Sequence, residues 1–134
     1  MIDSTITLVE KHQINQNNPF YKEIDDLGFL AKNLYNATLY TVRQNYILQK
    51  TYLNYYKMNR LFVDENQVDY RALPSKVSQK VQQLVDKNFQ SFFKLLKLKQ
   101  KGQYTKPIKL PKYLHKQKGR QVLHYEKGAL SFRY

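Results

Sequence analysis

Two sets of side chains in this 134-residue chain have the types and spacing to do chemistry, and both are cationic. Lys76, Lys80, Lys87 and Lys94 recur at intervals of 4 or 7 residues. At about 100° per residue they fall in one narrow stripe of a helix. Farther along, Lys106, Lys109, Lys112, Lys116, Lys118 and Arg120 interleave with Tyr104 and Tyr113 in the run KQKGQYTKPIKLPKYLHKQKGR. Rows of ammonium groups neutralise rows of phosphates, and aromatic rings set between them can stack on bases. The bland readings are a solvated helix face for the first set and a flexible basic linker for the second.

The distribution of charge favours the sharper reading. Residues 1–70 carry 7 Lys and Arg against 8 Asp and Glu, whereas residues 71–134 carry 16 against 2. The whole excess behind the net charge of +13 therefore sits in the second half. Such a segment repels itself unless a polyanion or an acidic partner meets it, and nucleic acid is the polyanion expected. An anionic membrane suits it less well, because the basic tail lacks a long amphipathic helix of its own.

Other chemistries find no support. The chain has no cysteine, which rules out disulfides and thiolate zinc sites and points to a reducing compartment. The start MIDSTITLVE lacks a basic segment followed by an apolar run, and no stretch approaches ~18 apolar residues. A soluble cytoplasmic protein with no membrane partner is expected. His12, His115 and His124 are far apart and lack metal-ligand spacing. Asp25-Asp26 and Asp64-Glu65 read as helix-start and loop charges, and neither a phosphate loop nor a nucleophile elbow occurs. No catalytic residue, metal, cofactor or small-molecule substrate is expected.

The elements that must position the cations follow from periodicity. Over residues 75–98, Val77, Val81, Leu84, Val85, Phe89, Phe92, Leu95 and Leu96 share one broad arc opposite the lysines. Pro74 pre-sets the turn into this helix and Ser75 suits its N-cap. A second helix is predicted from Pro19 to about Gln49 with Asn18 as cap, its apolar side formed by Phe20, Ile24, Leu27, Ala31, Leu34, Tyr35, Thr38, Val42 and Tyr46. Gly28 inside it costs about 1 kcal/mol relative to Ala. Leu27, Leu34 and Val42 should pack on Val81, Leu84 and Phe92. Phe29, Tyr40 and Ile47 fall on the opposite face, either as scattered exposed residues or as a second contact surface for a third helix or a partner. The tyrosine-rich run TYLNYYKMNRLF extends the first helix or forms another, and its tyrosines either finish a core or stack on bases.

The ends read as strands. Residues 4–14 are β-branched and apolar, and residues 121–125 and 129–134 flank Glu126-Lys127-Gly128 as a hairpin. Pro107 and Pro111 impose an extended course before it. The predicted class is α+β, mainly α: a helical hairpin or bundle inserted into an incomplete β-barrel or small sheet. An isolated hairpin is marginal in water. It would need the N-terminal strand or strands lying outside this chain, as in a piece of something larger.

Four segments then show a resemblance. EIDDLGFLAKNLYNATLYTVRQ, ALPSKVSQKVQQLVDKNFQSFFKLLK, KPIKLPKYL and GRQVLHYEKGALS resemble, in colinear order from about residue 8 to 134, the N-terminal part of the TnpB (OrfB) proteins of bacterial insertion sequences. These are RNA-guided DNA endonucleases related to the ancestors of type V CRISPR effectors. They are commonly called transposases, and their N-terminal region is often labelled helix-turn-helix. The resemblance implies a partial β wedge at 1–17 and 105–134 around a helical recognition lobe at 18–104. The family's RuvC-like nuclease, with its acidic metal ligands, and its zinc-binding insertion lie downstream of the matching region. The chain is thus expected to be a truncated, nucleic-acid-binding fragment without cleavage of its own, its partners guide RNA, DNA and a missing C-terminal nuclease half. Lys76, Lys80, Lys87, Lys94 and the cations from Lys106 to Arg120 would hold backbone phosphates. Two other readings stand beside it: a stand-alone helix-turn-helix-type DNA-binding regulator, and a basic protein-interaction module.

Overall fold

The two long periodic stretches become two long helices. A computed structural model describes residues 13–125, in which four helices follow one another: α1 (Tyr21–Gln49), α2 (Tyr55–Asp64), α3 (Val68–Arg71) and α4 (Ser75–Gln100). Helix α1 starts two residues later than predicted. Asn18 folds the turn ahead of it, its Oδ1 accepting from Phe20 N–H at 2.9 Å and its carbonyl from Tyr21 N–H at 3.0 Å. Nor does Ser75 cap α4; Pro74 occupies that position and Ser75 is the first helical residue.

The tyrosine-rich run forms a separate helix because α1 terminates at Lys50, which takes a left-handed conformation (φ 56°) and donates its N–H to Asn45. Asn54 then caps α2, accepting from Lys57 N–H at 3.0 Å. Helix α2 runs antiparallel to α4, since Tyr52 ahead of it meets Asp86 and Phe93 while Asn59 within it reaches Gln82. Gln67 caps the single turn α3 through Tyr70 N–H at 2.8 Å, and the Ser78 hydroxyl ties α4 to the Tyr70 carbonyl at 2.8 Å.

The core lies between these helices. Ala31, Leu34, Tyr35, Leu39 and Val42 of α1 pack with Met58 and Phe62 of α2, with Tyr70 and Leu73, and with Val77, Val81, Val85 and Phe89 of α4. Of the pairs expected from the sequence, Leu34, Val42 and Val81 are buried, while Leu27, Leu84 and Phe92 pack at the core's edge. One end is an aromatic cluster in which Phe89 lies 6.3 Å from Tyr46, 5.6 Å from Tyr52 and 6.2 Å from Phe92. Of the tyrosine-rich run, Tyr52 packs against the core while Tyr56 is exposed; elsewhere in the core, Tyr35 accepts from Asn88 at 2.9 Å and Tyr70 from Asn59 at 2.8 Å.

The expected α+β class is not what forms. Among the described residues there is no strand or sheet, so a helical bundle inserted into a barrel is replaced by a helical bundle with an irregular arm, residues 101–125, laid across it. Residues 4–12 of the expected first strand and 129–134 of the hairpin lie outside the described residues. Residues 121–125, the described half of that hairpin, form no ladder. The physical reason is that the arm's backbone pairs with α1 instead: Asn36 takes both polar groups of Leu114, and Gln121 N–H donates to the Gly28 carbonyl at 3.2 Å. Residues 105–125 thus form an irregular arm docked on α1, with no strand among them.

Candidate nucleic-acid interface

Helix α4 carries its lysines opposite its core face, as the wheel requires. Lys76, Lys87 and Lys94 are exposed and Lys80 is half-buried. The one carboxylate on this helix, Asp86, is turned away from them and held by the Tyr52 hydroxyl. Burial, and then the Asp86 carboxylate itself, push the Tyr52 phenol well above its ordinary value, so it stays a hydrogen-bond donor at neutral pH. Between residues 75 and 125 the chain has 13 Lys and Arg and, against them, Asp86 alone. Lys97 and Lys99 lie in the last turn of α4. There they suit the negative end of the helix dipole.

The arm is fastened by side chains that recur along one face of α1. Arg43 donates to the Pro111 carbonyl at 3.2 Å. Asn36 accepts from Leu114 N–H at 2.9 Å and donates to Leu114 C=O at 3.0 Å. The Lys32 ammonium donates to the Lys116 carbonyl and to Asn33 Oδ1. Asp25 pairs with Arg120 at 2.9 Å and 3.2 Å. Since residue numbers fall along α1 as they rise along the arm, the two run antiparallel. A tight turn between Leu114 and Arg120 is possible only with Gly119, where a Cβ would sit 2.4 Å from the His115 carbonyl oxygen.

Lys32 is 1% exposed and lies 3.8 Å from the Phe29 ring centre. Burial, followed by the charges of Arg120 and Lys116, lowers its pKa. Arg120 approaches the same ring at 5.1 Å. Phe29, which the sequence left as either exposed or part of a second surface, is thus covered by the arm. Tyr40 and Ile47 remain exposed.

This docking also lays the arm against α4. Lys109, Pro111 and Lys112 of the arm form one shallow groove of about 240 Å³ with Asn88, Ser91, Phe92 and Leu95 of α4. A second groove, of about 260 Å³, lies between His124 of the arm and Lys80, Gln83, Leu84 and Lys87 of α4. The first is lined by two lysines of the arm and the second by two lysines of α4, and neither is lined by a carboxylate. Lys106, Lys116 and Lys118 are exposed along the arm, and Tyr104 is half-buried. Arg120 does not join the row, because Asp25 engages it. Asn88, Ser91 and His124 are groove residues that carry no charge signal in the sequence; only the arm's path reveals them.

Among the described residues no group of three His, Cys, Asp or Glu side chains is placed to hold a metal ion, and no helix is long and apolar enough to cross a membrane. Comparison with protein-family models, with curated proteins and with solved structures finds no match.

Proposed function

We propose that the protein binds nucleic acid along the surface shared by α4 and the arm, gripping backbone phosphates and performing no cleavage itself. One observation carries this reading. Folding places Lys109 and Lys112 beside Ser91 of the lysine helix, while the only carboxylate of residues 75–125 is sequestered by Tyr52. A merely solvated face has no need to exclude acidic groups over 50 residues of chain. Such a surface reads charge and shape rather than base sequence. That is the part a TnpB-like N-terminal region would contribute where a guide RNA supplies sequence recognition by pairing, and we propose that affiliation from the resemblance of the four segments.

The test is the salt dependence of binding to a fluorescent single-stranded oligonucleotide. Each phosphate neutralised on a single strand adds about 0.7 to the slope of log K against log salt. With about seven lysines engaged the slope is about −5. Replacing Lys87 and Lys94 by Gln should reduce its magnitude by about 1.4, and replacing Lys109 and Lys112 should do the same. Relative to 1 M salt, each pair then loses about 14-fold in affinity at 0.15 M. A slope near zero, or one untouched by both pairs, would leave the lysines as solvated faces.

A further inference from the structure

The two central tethers of the arm bracket a small patch that shares Lys112 with the first groove. Asn36 bonds to Leu114 and Arg43 to Pro111. Between these fixed points lie Tyr40 on the helix and Lys112-Tyr113 on the arm. The Arg43 guanidinium sits 4.8 Å from the Tyr113 ring centre while its other end is anchored on the Pro111 carbonyl. The ring is thereby oriented before any ligand arrives. Yet Tyr113 is 42% exposed and Tyr40 is 58% exposed. The tyrosines that serve the core are different: Tyr35 and Tyr70 are buried with their hydroxyls bonded.

From this juxtaposition we infer that Tyr40 and Tyr113 form a base-stacking platform, and that the ligand of the basic surface is nucleic acid in single-stranded form. The inference rests on the proposed function above and specifies its ligand. In a duplex the π faces of the bases are already occupied by their neighbours, so exposed tyrosine rings meet them only where the strand is unpaired. Lys112 stands next to Tyr113 in the chain and lines the α4 groove. A strand whose phosphates follow Lys109 and Lys112 therefore has its bases within reach of the tyrosines. Stacking on the ring face is indifferent to base identity, and it is available to RNA and DNA alike.

The test uses the full chain and four fluorescent or competing ligands: a 20-nucleotide oligo-dT, the matching oligo-rU, a duplex of the same length, and heparin as a polyanion without bases. In the variant Tyr40→Leu/Tyr113→Leu, affinity for the single strands should fall between about fivefold and a hundredfold for each ring that stacks. Affinity for heparin and the salt slope should not change, because no cation is removed. Tyr40→Phe/Tyr113→Phe, which keeps both rings, should bind single strands within about twofold of the parent. The dT and rU arms show which sugar the surface takes, and binding of either sustains the platform. Three results would overturn it: unchanged single-strand affinity in the leucine variant, an equal loss on heparin, or tighter binding of the duplex. Failure of the parent protein to bind heparin and all oligonucleotides would overturn the basic surface itself.

Discussion

Replacing Asn36 by alanine should release the arm without unfolding the helices, and through the arm should weaken nucleic-acid binding. The Asn36 amide makes two hydrogen bonds to the backbone of Leu114, at 2.9 Å and 3.0 Å, both half-buried. Each such bond contributes about 0.5–1.5 kcal/mol net, so the arm loses about 1–3 kcal/mol of docking free energy. The helix itself keeps its stability, since alanine is the best helix former and Asn36 points out of the core. At about 1.4 kcal/mol per decade, the open population of the arm rises between roughly fivefold and a hundredfold. Trypsin cleavage at Lys112–Tyr113 reports this population when opening and closing are fast. The cleavage rate should rise by that factor while the far-ultraviolet circular dichroism stays the same. Single-strand affinity should fall in parallel, although Asn36 bears no charge, because Lys109 and Lys112 lose their place beside Ser91. A variant with faster cleavage and unchanged affinity would show that α4 and the arm bind independently. Unchanged cleavage would show that the tether does not hold the arm.

Phe89 is 0% exposed and touches the rings of Tyr46, Tyr52, Phe92 and Phe93; Phe89→Ala should cost about 3–5 kcal/mol in urea unfolding, and a loss under about 1 kcal/mol would remove the aromatic cluster from the core. Arm docking should also depend on pH. The hydrogen bonds from Arg120 hold the Asp25 carboxyl below its usual 3.8, so their contribution is complete above that value and is lost as pH falls through the lowered one. Amide shifts of Leu114 and Gln121 should be constant from neutral pH down to about 4 and change below it, and Asp25→Asn should abolish this limb. Buried Lys32 acts with the opposite sense at the alkaline end: its pKa is lowered, the folded state binds the proton less well than the unfolded chain does, and stability increases from the lowered value up to 10.5.

The sequence by itself determined the two long helices, their core faces and the segregation of charge. These are local properties: Leu34, Val42 and Val81 recur at helical spacing whatever surrounds them, and Lys87 and Lys94 must then lie on the other side. The tyrosine-rich run needed only a left-handed Lys50 and an Asn54 cap to become α2, but whether α1 stops there depends on Tyr52 finding Asp86 and the aromatic cluster across the bundle. For the arm, local reading failed. Its prolines and β-prone residues are equally compatible with a strand, and propensity for extended backbone says nothing about which partner will satisfy the N–H and C=O groups. Those partners are Asn36, Gly28, Lys32 and Arg43, between 68 and 93 residues away in the chain. Only tertiary structure decides such pairings, because the free energy of each tether exists only when both distant segments are in place. The same cause decided the site. Arg120 looked like another phosphate ligand and became the clasp on Asp25, while Ser91 and His124, silent in the sequence, came to line the grooves between the arm and α4.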